Sequence, residues 1–485
     1  GAFAVGNGAK VSTAQSVGGQ AIGRGAFVQG AGGQAYGQST KAYGQAAIAI
    51  GGGYDPTNGP NIPGGDTAAN VGSAAGAADR GIAIGSTARV GSGANDSIAL
   101  GSNTAVADGA ISAIAMGNNA KAQKTQAIAI GNDAQATGTQ SISIGTGNIV
   151  SGNNSGALGD PSLVAGSNSY SVGNNNVISA ATDNGFIYGG QNNLGGTTTR
   201  DTNGVVTGST ITGNNAANRS VAIGFQNNVA TNANINDSVA IGSKNTIDQS
   251  NTFVLGNNVT TTQANSVVLG NASTDRAATT EATAAVNGIT YGQFAGQGSA
   301  DRGVISVGSA GNERQIINVA AGQISDTSTD AINGSQLYLT QQALGNVANS
   351  TKNIIGGNTQ VNSDGTLTVS NIGGTGKDTI DEAIKASRTE VAAGTNIANI
   401  EKTTGANGQD IYTINADGAK VTAGTGVNVE ASDKDSNNIT NYTVSLDQAT
   451  QDSLGKADSA VQNIEAGENI AITREGNNIT VATTK

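Results

Sequence analysis

The side chains that most enzymes use for covalent or acid–base chemistry are largely missing from this sequence of 485 residues. It contains no Cys and no His, so no thiol or imidazole is present to act as nucleophile, base or zinc ligand. No Glu occurs before Glu281, so a hydrolase built on the first 275 residues would need two Asp in a shared register, and none recur that way. We therefore expect no enzyme activity, no catalytic metal and no cofactor.

Two glycine-rich patterns resemble ligand sites only superficially. Residues 373–379 (GGTGKDT) place Lys377 and Thr379 near a helix start but lack the spacing of a phosphate-binding loop. Calcium-binding β-rolls repeat Gly-Gly-x-Gly-x-Asp, whereas Asp is sporadic here. Neither a nucleotide site nor a calcium ladder is predicted.

Composition limits both the core and the partners of the chain. Gly accounts for 73 residues, while only 12% of residues are charged and 3% aromatic, which favours a thin repetitive fold over a thick core. Residues 1–275 carry 10 Lys/Arg against 12 Asp/Glu, and residues 276–485 carry 13 against 22. Without a basic patch in the sequence, nucleic-acid binding is not expected. No apolar run reaches the roughly 18 residues of a membrane-spanning helix.

A repeated phrase ending in glycine, such as AIAIG or SVAIG, determines the predicted architecture. The final glycine of the phrase recurs every 14 residues from Gly117 to Gly173 and again from Gly242 to Gly270. Nearer the N-terminus, glycine recurs every 7 residues, which is half of that period. Two short strands and two tight turns per period predict a coil, and stacked coils form a parallel β-roll. The turns need backbone conformations open to glycine; the representative turn glycines are Gly117, Gly131, Gly145, Gly242, Gly256 and Gly270.

Side chains alternate along each short strand, so the phrase has two faces. In SVAIG, Val239 and Ile241 share one face and Ser238 and Ala240 the other. We expect the branched residues to fill the coil and the Ala/Ser face to pack against other copies, three rolls around one axis being the leading arrangement. A monomeric solenoid is the alternative. The predicted core positions are Ile128, Ile130, Ile142, Ile144, Val221, Ile223, Val239 and Ile241.

Two segments interrupt the repeat, at residues 52–80 and 191–219. Long excursions from a solenoid are common places for recognition loops, although passive insertions explain them equally well. The candidate ligand contacts in them are Tyr54, Asp55, Asp79, Arg80 and Arg200. Tyr36 and Tyr43, each one residue before a repeat glycine, are predicted to pack within or between chains first and to bind ligand second.

The sequence after the roll changes character and divides into several short segments. A helix is predicted after a cap at Ser328 or Thr329, and its weak apolar stripe with Leu337 and Leu344 favours a coiled coil. The predicted divisions are a head at 1–275, a β connector at 276–311, a neck and short coiled coil at 312–350, an insertion module at 351–390 with a helix at 377–388, a β module at 391–446, a helical segment at 447–463 and the start of a further β module at 464–485.

The order of these segments resembles the trimeric autotransporter adhesins with YadA-like heads. The repeats resemble the head, and NERQIINVAAG…STDAINGSQLY (312–338) resembles the neck that follows such heads. NIGGTGKDTIDEAI (371–384) resembles a stalk insertion motif, and the GTNI and GENI phrases resemble small β stalk modules. The neck positions that carry this resemblance are Asn318, Asp330, Asn333, Gly334 and Leu337.

The resemblance implies a mainly β protein, a homotrimer of left-handed parallel β-rolls followed by a neck and coiled coil. It implies attachment to collagen, fibronectin, laminin, cells or abiotic surfaces, together with autoagglutination through other fibres and biofilm formation. It also implies a bacterial cell-surface location with a C-terminal β-barrel anchor in the outer membrane. This chain ends at Lys485 without barrel strands, so we expect it to be a passenger fragment. A non-adhesive structural spacer is the alternative function.

Overall fold

The fold was obtained as a computed structural model, which describes residues 1–12, 16–52, 68–73, 76–394, 397–416, 424, 427–435, 441–446, 466–475 and 478–484. These residues form two compact units, Gly1–Gln336 and Leu337–Lys485, which are described separately.

The first unit is a parallel β-solenoid whose coils contribute short strands to two sheets. Sheet A has 17 strands, and neighbouring strands pair in parallel without a shift, as in Ile128 opposite Ile142. Its strands are Phe3–Val5, Gln20–Ile22, Gln34–Tyr36, Ile48–Ile50, Ile82–Ile84, Ile98–Leu100, Ile114–Met116, Ile128–Ile130, Ile142–Ile144, Gly156–Leu158, Tyr170–Val172, Phe186–Gly190, Val221–Phe225, Val239–Ser243, Phe253–Asn257, Val267–Leu269 and Ile305–Ser306.

Sheet B has 14 strands of two residues each and runs along the opposite wall of the coil. Its strands are Lys10–Val11, Phe27–Val28, Lys41–Ala42, Asn70–Val71, Arg89–Val90, Ala105–Val106, Lys121–Ala122, Gln135–Ala136, Ile149–Val150, Leu163–Val164, Val177–Ile178, Asn193–Leu194, Asn228–Val229 and Thr246–Ile247. Ladder hydrogen bonds join successive coils, for example from Ile128 N to Ser141 O at 2.8 Å.

The interior of the coil contains the small residues of the repeat, which corrects the prediction that the branched residues fill it. Ala129 and Ala240, the middle residues of their strands, are fully buried, and they pack with inward residues of sheet B such as Val150. The predicted core residues (Ile128, Ile130, Ile142, Ile144, Val221, Ile223, Val239 and Ile241) are only half-buried and face outward. The interior is narrowest in the first half of the roll, where alanine predominates, and the second half buries larger side chains such as Ile187 and Leu194.

The repeat glycines stack in a column along the roll. Gly117, Gly131, Gly145 and Gly242 have φ between 124° and 130°. A Cβ on any of them, or on Gly256, would lie within 2.4 Å of the carbonyl oxygen of the next glycine in the column. At the last position, Gly270, a Cβ would instead meet the guanidinium of Arg314, which hydrogen-bonds to Ser273, Val307 and Asn271 and covers the end of the roll.

A ladder of buried asparagines runs inside the second half of the roll. Asn227 Nδ2 donates to Gly242 O at 2.8 Å, and its Oδ1 accepts from the backbone and side-chain nitrogens of Asn245 at 3.2 and 2.9 Å. Asn192 and Asn176 repeat this pattern in preceding coils. The side-chain oxygen and nitrogen of each buried amide are both hydrogen-bonded. These bonds link neighbouring coils and hold them in register.

We expect Asn227→Ala to lower the free energy of unfolding by about 1–3 kcal/mol, because it leaves buried backbone groups of two coils without partners. Urea denaturation measures the change. Asn118→Ala is the matched control, since Asn118 is an exposed turn residue without a side-chain hydrogen bond among the described residues. An equal effect of the two substitutions would show that the ladder contributes nothing specific.

Other elements of the first unit attach to the roll. A hairpin of Thr197–Arg200 and Val206–Thr212 and a parallel pair of Ala217–Asn218 and Ile235–Asn236 belong to the second interruption and the coil after it. A further hairpin joins Thr283–Val286 and Ile289–Gly292, and a 3-10 helix spans Ala300–Arg302. Strand Ile305–Ser306 then pairs with Val267–Leu269, so sheet A continues past residue 275, where the head was predicted to end.

The long helix, Gly334–Ile355, begins later than its sequence suggests. Asn333, not Ser328 or Thr329, precedes it, and Asn333 Oδ1 accepts from Gln336 N in the position of an N-terminal cap. A second helix, Ile380–Ala386, is shorter than the predicted 377–388 and is capped by Thr379. A 3-10 turn, Ile372–Gly374, lies just before it.

The second unit is otherwise built from antiparallel hairpins. They are Gln360–Val361 with Leu367–Thr368, Ile397–Thr404 with Asp410–Ala416, Val427–Ala431 with Tyr442–Leu446, and Ile470–Glu475 with Asn478–Thr483. The predicted helical segment at 447–463 lies outside the described residues.

Candidate functional site

An apolar stripe runs along the outer surface of sheet A in the first unit. We define the apolar stripe as the outward apolar residues of its strands from Ile48 to Leu269, none of which is buried. They are Ile48, Ile50, Ile82, Ile84, Ile98, Leu100, Ile114, Met116, Ile128, Ile130, Ile142, Ile144, Leu158, Tyr170, Val172, Phe186, Tyr188, Val221, Ile223, Val239, Ile241, Phe253, Leu255, Val267 and Leu269.

The stripe is continuous from coil to coil, whereas soluble monomers usually expose apolar side chains singly. Tyr188 is 57% exposed and Leu255 49% exposed, and each lies in register with outward apolar residues of the neighbouring coils. Contiguous apolar surface of this extent marks an interaction face. Tyr36 lies in the same register as Ile50, whereas Tyr43 lies on sheet B, where its ring contacts that of Phe27 with centroids 5.2 Å apart.

The neck exposes further apolar residues while fixing its own backbone by polar contacts. Ile316 and Ile317 are 71% and 72% exposed. Gln336 bonds both the N–H and the carbonyl of Gly322, at 3.0 and 2.7 Å. The preformed neck therefore presents isoleucines to its surroundings.

The neck positions singled out from sequence have distinct local roles. Asn318 adopts a left-handed conformation, with φ of 61°. Asp330 accepts from Gln323 N at 2.9 Å, and Asn333 donates to Val319 O at 3.2 Å. Gly334 is the first helical residue, and Leu337 is exposed on the helix.

Arg200, a predicted ligand contact, instead fixes the hairpin of the second interruption to the roll. Its Nη1 donates to Asn175 O at 2.6 Å and Gly204 O at 3.0 Å, and its Nη2 donates to Asn193 Oδ1 at 2.9 Å. Burial lowers the pKa of Arg200 from its usual value. The hairpin lies over sheet B beside Leu163, where the outward residues Leu163 and Val177 are buried.

We expect Arg200→Met to loosen this hairpin, because three carbonyl oxygens lose a charged donor. Backbone amides of residues 197–212 should then exchange at least about tenfold faster, as hydrogen exchange with mass spectrometry would measure. Arg219→Met is the control, since its guanidinium pairs with Asp237 on the exposed surface. Unchanged exchange in the Arg200 variant would contradict the anchoring role.

Of the candidate ligand contacts in the first interruption, two lie outside the described residues and two form contacts between turns of neighbouring coils. Tyr54 and Asp55 lie outside the described residues. Asp79 Oδ1 accepts from Gln45 N at 2.9 Å, which links two coils. Arg80 forms a bidentate pair with Asp96, at 2.5 and 2.8 Å, and the pairing lowers the pKa of Asp96. These contacts give Asp79 and Arg80 structural roles.

Sequence reasoning missed the second pair of this kind, Arg219 with Asp237, at 2.7 and 2.8 Å. Both Arg–Asp pairs join the same turn of successive coils, at positions with positive φ. Only the coil register brings the partners together, because they are separated by a full coil in the sequence. The Arg219 guanidinium lowers the pKa of the Asp237 carboxyl.

Nothing in the described part of the chain forms a recognisable catalytic arrangement. A cleft of about 480 Å³ beside the hairpin is lined by Arg200, Asp201, Phe225 and Lys244 among others, and its polar groups are largely engaged with one another. The described residues contain no group of three carboxylates placed to hold a metal ion. None of the described helices combines the length and apolarity needed to cross a membrane.

Comparison with known proteins finds relatives for parts of this chain. Residues 315–360 match the family described as the coiled stalk of trimeric autotransporter adhesin. The chain is 40% identical over 129 residues to the trimeric autotransporter adhesin AtaA of Acinetobacter sp. strain Tol 5, covering 23% of this chain and 4% of AtaA. It is 49% identical over 77 residues to the autotransporter adhesin BtaE of Brucella suis biovar 1 strain 1330, covering 16% of this chain and 10% of BtaE.

The chain carries a parallel β-solenoid and, after it in the sequence, a segment that matches the stalk of trimeric autotransporter adhesins, and over the matched parts it is similar to that class of surface protein. It spans only a small part of the relatives it matches. Among solved structures, the C-terminal YadA-like domain of a Burkholderia pseudomallei protein is 38% identical, covering 22% of this chain and 50% of that chain, with a TM-score of 0.21.

Proposed function

We propose that this chain is the head and upper stalk of a bacterial surface adhesin that assembles as a homotrimer. The apolar stripe of sheet A carries the proposal, because a single copy leaves some two dozen apolar side chains in contact with water. Three rolls with their A sheets facing one axis bury the stripe and leave sheet B outside. The neck also exposes isoleucines that association of three copies can cover.

The proposed activity is attachment to host matrix proteins such as collagen, fibronectin or laminin, to cells or to abiotic surfaces, with autoagglutination and biofilm formation through other fibres. Similarity to trimeric autotransporter adhesins supports an adhesive role. We propose a location at the bacterial cell surface, held at the outer membrane. The second candidate is a non-adhesive spacer, favoured by the observation that Arg80 and Arg200 are both engaged by other residues of the roll.

Adsorption of the purified chain separates the two candidates. The chain is applied to collagen, fibronectin, laminin and plastic, with albumin as the reference protein. Retention well above albumin on at least one surface is the expected result of the adhesin proposal. Retention equal to albumin on all four would leave the spacer as the function of this chain.

A further inference from the structure

Two glutamines interrupt the outward apolar residues of sheet A near the start of the roll. Gln20 and Gln34 begin the second and third strands of the sheet, and they lie in register with each other and with Ile48 of the fourth strand. The middle residues of their strands, Ala21 and Ala35, are fully buried. Because side chains alternate along a strand, both glutamines lie on the outer face that carries the apolar stripe further along the roll.

Among the described strands of sheet A, no other has an amide or a charge at these positions. In every strand but the last, the first and third residues lie on the outer face, and apart from the two glutamines they are apolar residues, tyrosine or glycine. Gln20 and Gln34 are therefore exceptions in a line that is otherwise suited to hydrophobic contact.

The two amides are only partly satisfied within one copy. The Tyr36 hydroxyl donates to Gln20 Oε1, whereas Gln20 Nε2 and the Gln34 amide have no hydrogen-bond partner among the described residues. Both glutamine side chains are half-buried. Water can bond them in a single copy, but a trimer that buries this face removes the water, and an unbonded buried amide is costly. In the proposed trimer these amides need partners from the other copies.

The apolar stripe by itself does not fix how far one roll is displaced along another. Six successive strands, from Ile48 to Ile144, present nearly the same pair of outward residues, with Leu100 and Met116 as the only departures from isoleucine. Hydrophobic contact is non-directional. A displacement by one coil, about 4.8 Å, therefore sets isoleucine against isoleucine again and loses the contact of only one coil at each end. A directional interaction is needed to select the level arrangement.

Amides supply that direction. Each glutamine side chain has one acceptor and two donors, so three of them at one level can each donate to the next around a three-fold axis. A copy displaced by one coil instead brings amides opposite Phe3 or Ile48 of its neighbours. A buried asparagine in a coiled coil fixes the register of the helices in the same way, at a cost in stability.

We propose that Gln20 and Gln34 form an alignment layer, in which the amides of three copies hydrogen-bond to one another around the axis and hold the rolls level. The partner of this surface is a second and third copy of the same chain. The proposal rests on the proposed homotrimer and specifies how its copies recognise one another. The bond from Tyr36 orients the Gln20 amide before association, which lowers the entropy lost when the layer forms.

The test removes both amides, as Gln20→Ile with Gln34→Ile, and makes use of a sequence without Cys. Two forms of each protein carry one reporter, Met116→Cys or Ile130→Cys, whose positions lie in register on neighbouring strands. The two forms are produced together and oxidised, and a tag on one form lets a gel separate the disulfide-linked dimers. Dimers between like residues report level copies, and mixed dimers report displacement by one coil.

In the parent chain we expect mostly like dimers. In the double variant the mixed fraction should rise at least about threefold, although the solution mass stays at three times 47.4 kDa and the unfolding temperature does not fall, because apolar contact replaces the amides. Gln34→Ile alone keeps the Tyr36 bond to Gln20 and should give an intermediate fraction, which also decides the matter if the double variant does not fold. The control, Gln29→Ile with Gln135→Ile, makes the same exchange beside and on sheet B and should keep the parent pattern.

The outcomes separate alignment from assembly. A mixed fraction that is the same in the parent and the amide variants, in proteins of trimer mass, would overturn the alignment layer and leave the homotrimer intact. An equal rise in the control, or a lack of like dimers in the parent trimer, would overturn the alignment layer as well. A parent chain that sediments as a single copy would overturn both proposals, because no second copy would then be present to bond the amides.

Discussion

Gly131→Ala is expected to disrupt the roll at its centre. Gly131 has φ of 130°, and an added Cβ would lie 2.1 Å from Gly145 O in the next coil. The backbone conformation is one that only glycine adopts readily, and the clash is with rigid backbone, so neither relaxes cheaply. We expect a loss of about 3–5 kcal/mol from the free energy of unfolding, combining backbone strain with overpacking.

Gly109→Ala separates the two causes. Gly109 also has a positive φ, 69°, but a Cβ there would have no atom within 4 Å. We expect only the left-handed strain of about 1–2 kcal/mol. Thermal unfolding and hydrogen exchange at the amides of Ile128 and Ile142, which bond across coils, give the comparison. If both substitutions cost the same, contact between stacked glycines does not limit the coil spacing.

The repeat period could be interpreted from sequence because it depends on local backbone constraints. Glycine at fixed intervals and turn residues between short apolar runs predict two strands and two turns per coil, as the parallel β-solenoid confirms. Which strand face is inside could not be derived in the same way. Alternation places Ile128 and Ala129 on opposite faces of the strand but does not say which face is inside. The usual rule that large apolar residues lie inside predicts the wrong face here.

The position within the strand decides the direction. The middle residue of the strand faces inward whether it is Ala129 or, in a later coil, Ile187, and both are fully buried. The role of Arg200 was hidden for another reason. Its hydrogen-bond partners are brought together by an interruption of the repeat, which local spacing does not encode.

Because the large apolar residues face outward, association can be tested without disturbing the interior. Ile144→Asp combined with Ile241→Asp places carboxylates on the apolar stripe at residues that a single copy leaves half-exposed. In one copy water solvates these charges, so the coils should stay folded. In the proposed trimer six carboxylates would be buried near the axis, each at a cost of several kcal/mol. We expect the solution mass to fall from three times 47.4 kDa to that of a single chain.

The matched control carries Gln29→Asp and Gln135→Asp, which add the same charge to the outer surface of sheet B. Sedimentation equilibrium should find this variant at the mass of the parent chain. A parent chain that sediments as a single copy would contradict the trimer, as would an unchanged mass for the stripe variant. If the stripe variant separates and then unfolds at a lower temperature than the control, the three rolls stabilise one another, because each supplies the apolar contact that a coil filled with alanine cannot provide for itself.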